Sequence, residues 1–127
     1  MIYKSLNDIC KIAREMKIPF WKVVQRDDCM ERNVEEAVSF EQMCSMYRAM
    51  KYADSSYIGT RRSSSGMAGG DGKRLEAYVS SGKAMSGPFM GKIMERAVKM
   101  GESNACMRRI VAAPTAGSCG VLPAVLL

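Results

Sequence analysis

The sequence predicts a mainly α protein: a helical domain with a Ser/Gly-rich loop in its middle and a Cys-bearing loop near its C-terminus. Apolar residues recur at spacings of three and four over residues 6–16, 34–57 and 89–98, the pattern of helices that bury one face. No stretch alternates apolar with polar residues as a half-buried strand does. Between Tyr57 and Lys73 the periodicity stops, and SYIGTRRSSSGMAGGDGK is crowded with Gly and Ser.

Each element has its own local reason. The first helix opens at SLND (Ser5 to Asp8), a capping box with Asp in place of the usual Glu or Gln. Leu6, Ile9, Cys10, Ala13 and Met16 form its apolar face, so Cys10 reads as a packed core thiol, and Pro19 stops the helix. Pro19 also suits the first turn of the next helix, with Phe20, Trp21 and Val24 turned inward. Asn33 is the expected cap of a longer helix, with Glu35 and Glu36 in a first turn whose dipole favours acids. Val34, Ala37, Val38, Met43, Met46, Tyr47, Met50 and Tyr57 make its stripe, and Cys44 falls beside it as a core or near-core thiol. A helix resumes over residues 73–79. Another opens near Pro88, carries Phe89, Met90, Ile93, Met94, Ala97 and Val98 inward, and ends at Gly101. Ser103 or Asn104 then caps a short helix leading to the terminal loop. The 12 methionines, at helical spacing, read as adaptable packing.

Composition narrows the function classes. The 127 residues suffice for one small domain with a single core, and 47% hydrophobic content excludes wholesale disorder. The net charge of +6 is spread among acidic residues, and Arg61-Arg62 and Arg108-Arg109 are too short for a basic arm. This argues against nucleic acid and for solubility, with attraction for an anionic substrate or an acidic partner. Five cysteines without CxxC spacing, and a start without an apolar signal core, fit a reducing cytosol, so a cytoplasmic location is expected. No apolar run reaches the roughly 18 residues of a membrane span. Histidine is absent, which removes the commonest general base and metal ligand.

Two segments are left to carry chemistry. In the first, Ser64, Ser65, Gly66, Gly69 and Gly70 offer hydroxyls and unobstructed N–H groups just before a helix N-terminus, a setting suited to a carboxylate or phosphate. The spacing is neither a P-loop nor a dinucleotide fingerprint, so a plain mobile loop stays open beside the anion cradle. In the second, Cys119 stands between Ser118 and Gly120 in IVAAPTAGSCGVLPAVLL, and its small neighbours make the thiol read as presented. Nucleophile, cluster ligand and small buried residue remain open for it; the missing histidine and missing partner thiolates put the buried residue first. Cys106 reads as structural and Cys29, in the charged turn RDDCMER, as a surface thiol. The chain stops inside an apolar run, which reads as a cut.

Two blocks, Ser64 to Gly72 and Asn104 to Pro123, resemble the α chain of the bacterial iron–sulfur-dependent L-serine dehydratases. The likeness extends over nearly all of residues 1–127, which then form the N-terminal part of that family's α-chain catalytic domain; Ser5 to Asp8 fits the family's start, with Met1 as the natural first residue. The resemblance implies a lyase that converts L-serine to pyruvate and ammonia through a [4Fe-4S] cluster with one open iron. It implies Cys119 as one of three cluster ligands, the other two lying beyond Leu127. It implies a substrate-carboxylate role for the loop at Ser64, Ser65, Gly66, Gly69 and Gly70, with Lys73 as a neighbouring charge or a solvated lysine. A β chain is the expected partner, further oligomerisation is open, and the general base is not placed in this chain. Met67-Ala68 replaces the family's frequent Leu-Thr, and Met107-Arg108-Arg109 replaces smaller residues. The alternatives are a lyase acting on cysteine or another β-substituted amino acid, and a non-catalytic helical module that associates with a β chain. By itself the chain is expected to be inactive.

Overall fold

The computed structural model describes residues 3–127, so Met1, read as the natural start, lies outside them. The order is α1 (Leu6–Met16), α2 (Phe20–Arg32), α3 (Glu36–Ser55), α4 (Asp71–Ser80), α5 (Gly87–Ala105), a 3-10 turn (Ala116–Ser118) and α6 (Val121–Leu126). The described residues contain no strand, so the mainly α class holds. They divide into two compact units, one up to Ser45 and one from Met46 to Leu127.

In the first unit Ser5 caps α1 as expected, while the return bond to Asp8 comes from the residue before the cap. Ser5 Oγ accepts from the Asp8 N–H at 3.2 Å, and Asp8 accepts from the Lys4 N–H at 3.1 Å. α1 packs on α2, with Ile9 and Val23 buried. Both helices end on a left-handed non-glycine residue, Lys17 and Asn33. In each case the following N–H reaches back five residues, Ile18 to Ala13 O and Val34 to Cys29 O, which closes a Schellman turn.

This corrects Asn33. It ends α2 instead of opening α3, because asparagine tolerates the left-handed backbone that the closure demands. α3 is held at its start by side chains of α2: Lys22 and Arg26 pair with Glu36, and Gln25 Nε2 donates to Glu36 O at 2.9 Å. Phe20 and Trp21 are exposed, and Trp21 meets Phe40 at 6.5 Å between ring centroids. The buried positions of α2 are Val23, Asp27 and Cys29, one helical phase away from the expected face. Cys29, expected as a surface thiol, is 6% exposed. Along α3 only Met50 and Ala53 are buried, while Val38, Met43, Met46 and Tyr47 of the predicted stripe are exposed. The apolar period was real, but polar side chains meet the start of this helix.

In the second unit α5 is the central element, packed by α4 and by α6. Gly91 lets α4 approach closely: a Cβ there would lie 2.9 Å from the Val79 side chain. α5 runs through Gly101 to Ala105 and closes on left-handed Met107, with the Arg108 N–H on Ser103 O at 2.8 Å. Ser103 and Asn104 therefore belong to α5 and cap no further helix. Its expected inward face is half right. Ile93, Ala97 and Val98 are half-buried, but Phe89 is 76% exposed and Met90 and Met94 are exposed too. Two covered faces replace the single one assumed. Gly91, Glu95, Lys99 and Glu102 follow one face toward α4, and Ala97, Met100 and Asn104 follow another toward the Cys loop and α6. At about 100° per residue these faces lie about 180° apart.

Candidate functional site

The Ser/Gly loop is ordered by its own hydroxyls. The Ser63 N–H donates to Ala68 O at 2.9 Å, the Ala68 N–H to Ser63 Oγ at 3.1 Å, and the Gly66 N–H to Ser63 O at 2.9 Å. Ser63 Oγ and Ser65 Oγ share a bond of 3.1 Å. Ser64, Ser65 and Gly66 form the exposed tip, whereas Gly69 and Gly70 are buried at its base. Gly69 has φ +124°, and a Cβ there would stand 2.2 Å from Arg61 O. The Arg62 guanidinium lies against Gly70, bringing positive charge onto the glycine platform. Lys73 lays its stem against Gly59.

The base of the loop faces buried charge. Glu102, 8% exposed, accepts from the Asp71 N–H and from the Tyr57 hydroxyl, both at 2.5 Å. No side chain of the loop caps α4, so its first N–H is satisfied by a residue 31 positions later. Burial, with Glu102 adding to it, pushes the Tyr57 hydroxyl up to about 12, so it stays a donor. Nearby, Lys99 pairs with Glu95 at 2.7 Å and Glu76 at 3.1 Å, and Lys92 pairs with Glu95 at 2.8 Å. Burial raises Glu95, but the two ammoniums outweigh it and hold the carboxyl below its usual range. A crevice of about 10 Å³ between Tyr57, Arg61, Glu102, Cys106 and Arg108 has room for roughly one water and no amino acid.

The Cys loop is built differently. The Ala113–Pro114 peptide is cis, and Thr115 and Ser118 form a reciprocal capping box around the 3-10 turn. Asn104 Nδ2 ties that turn to α5 by donating to Ala116 O at 3.1 Å. Gly120 packs backbone to backbone on α5, where a Cβ would meet Ala97 O at 2.6 Å. Between these anchors Cys119 is 2% exposed, with Sγ 3.9 Å from Met100 O. The expectation of a presented thiol is thus corrected: small neighbours open space that α5 fills. Burial also pushes the thiol's pKa up, a backbone N–H offsetting part of this.

The candidate residues therefore gather as two groups on opposite faces of α5 rather than as one cluster. Among the described residues no three Cys, His, Asp or Glu side chains come together as a metal-binding group. Cys119 carries a thiol that could bind a metal once deprotonated, and it belongs to no such group among the described residues. Sequence reasoning missed Glu102 and Arg62. An acid in the last turn of a helix, where the dipole disfavours it, was the available signal for Glu102.

Comparison with known proteins agrees with the two-block likeness. The family described as serine dehydratase alpha chain matches residues 15–127. The chain is 34% identical to the probable L-serine dehydratase, alpha chain, of Bacillus subtilis (strain 168), over 98% of this chain and 42% of that one. It is 49% identical over 61 residues to the L-serine dehydratase, alpha chain, of Peptoniphilus asaccharolyticus, covering 48% of this chain and 21% of the relative. No solved structure matches. The chain belongs to the serine dehydratase alpha chain family, and it spans less than half the length of these relatives.

Proposed function

We propose that this chain forms part of an L-serine dehydratase, a lyase that removes water from L-serine. The eliminated aminoacrylate tautomerises to an imine, which water hydrolyses to pyruvate and ammonia. The observation that carries the reading is the family match over residues 15–127, which includes both the Ser/Gly loop and the Cys loop.

Each group has a role in this reading. The exposed hydroxyls of Ser64 and Ser65 receive the substrate carboxylate, with Gly66 turning the tip, Gly69 and Gly70 shaping the platform and Arg62 adding countercharge. Cys119 is one thiolate ligand of a [4Fe-4S] cluster, whose remaining ligands come from outside these residues. When bound, such a cluster supplies a Lewis acid for the serine hydroxyl. Burial keeps the free Cys119 thiol protonated, so cluster loading is coupled to loss of its proton. The base that takes the Cα proton and the walls of the substrate pocket belong to the rest of the enzyme, including a β chain. The crevice beside Glu102 is too small to be that pocket.

The test is anaerobic reconstitution of the assembled enzyme with iron and sulfide, scored by visible cluster absorption and by pyruvate formed from L-serine. Cys119→Ala should lose both, and retention of cluster and activity would remove Cys119 from the ligand set. Ser65→Ala should raise KM for L-serine and leave the absorption unchanged.

A further inference from the structure

We propose that Glu102 is a positioning residue that clamps both ends of the Ser/Gly loop and so sets the loop's geometry. This rests on the reading of that loop as the seat of the substrate carboxylate. One carboxylate oxygen accepts from the Tyr57 hydroxyl, where the loop leaves its preceding residues, and the other from the Asp71 N–H, where the loop enters α4. The 13 residues between them (58–70) are thereby closed into a ring at a single side chain.

Three independent features are shaped around this clamp. Gly72 sits where a Cβ would meet Tyr57 Oη at 2.9 Å and Glu102 Oε2 at 3.2 Å, so glycine leaves room for the bond between them. Lys99 stands 5.4 Å over the Tyr57 ring and holds it against α5. The loop gives α4 no side-chain cap of its own, which leaves the first N–H for Glu102. With a carboxylate already at the start of α4, a second anion is repelled from the helix N-terminus, and binding shifts to the tip at Ser64, Ser65 and Gly66.

Residue-resolved amide exchange on the assembled protein reads the clamp without any appeal to activity. In Glu102→Ala the amides of Ser63, Gly66, Ala68 and Asp71 should exchange about tenfold faster or more, because two part-buried donors lose their acceptor. The amides of α6 should be unchanged. Glu102→Gln should recover most of the protection, since its carbonyl can accept from Asp71 and its amide can donate to the tyrosine oxygen. Tyr57→Phe, a shape-preserving change, should loosen the start of the loop even if Glu102→Ala fails to fold. Unchanged loop exchange in Tyr57→Phe, or no recovery in Glu102→Gln relative to Glu102→Ala, overturns the clamp. With the clamp in place, Glu102→Ala should raise KM for L-serine more than it lowers kcat. Faster loop exchange with an unaltered KM would leave the clamp standing and remove the substrate role of the loop instead.

Discussion

The two loops that flank α5 use similar residues and are held by opposite means. The Ser/Gly loop is fixed at its base by charge and hydrogen bonding, through Glu102 with Tyr57 and Asp71 and through the Glu95, Lys99 and Glu76 network beside it. The Cys loop is fixed by its own capping box and by the close backbone approach of Gly120 to Ala97. The first arrangement leaves an exposed, polar tip; the second buries a thiol. Anchoring from below leaves hydroxyls in reach of solvent, whereas backbone packing shuts the thiol away.

Substitutions at the glycines should break this contrast most severely. Gly69→Ala adds a Cβ 2.2 Å from Arg61 O at φ +124°, and should cost about 3 kcal/mol, read as a fall in the denaturant midpoint. Gly120→Ala, 2.6 Å from Ala97 O, should cost about 2 kcal/mol. Tolerance of Gly120→Ala would mean that backbone approach does not hold the Cys loop. By contrast Gly117, whose Cβ would find only Thr115 Oγ1 at 3.8 Å, should accept alanine within about 0.5 kcal/mol.

The hydroxyls sharpen the contrast at a smaller scale. Ser118→Ala removes one arm of the capping box and should cost about 1 kcal/mol in thermal or denaturant unfolding. Ser65→Ala, at an exposed tip, should change stability by less than about 0.5 kcal/mol. Equal costs would erase the distinction between a hydroxyl that closes a capping box and one at an exposed tip.

Acid should separate the two faces further. The Glu95 carboxyl sits below its ordinary value of 4.5, so its stabilisation is complete above that value and is lost as pH falls through the lowered one. The α4 amides should therefore open under acid before those of α6, and Glu95→Gln should remove that acid dependence. Simultaneous opening of both faces in the parent protein would defeat the comparison. The mildest expected effect is chemical: at neutral pH, alkylation should reach Cys10, Cys44 and Cys106 before Cys29 and Cys119, which are buried. Early labelling of Cys119 would restore the presented thiol.

Legibility in the sequence followed range. Ser5, Asp8 and Pro19 marked α1 and the start of α2 because caps and proline act within a few residues. The Ser/Gly loop was bounded to within two residues of α4 for the same reason. Asn33 misled because one residue type serves both a helix start and a left-handed helix end, and the Val34-to-Cys29 bond decided between them. The stripe of α3 was read correctly as a period and wrongly as a buried face. Glu102 stayed invisible as a cap because its partners are 31 and 45 residues away.

The sequence by itself determined the helices, the break between Tyr57 and Lys73, and the two glycine-bearing loops, all consequences of local propensity and spacing. Tertiary packing alone decided that α5 has two covered faces, that Cys119 lies under one of them, and that Glu102 closes the loop on the other. Burial and long-range hydrogen bonding depend on which elements meet, and no residue carries that information in its own neighbourhood of the chain.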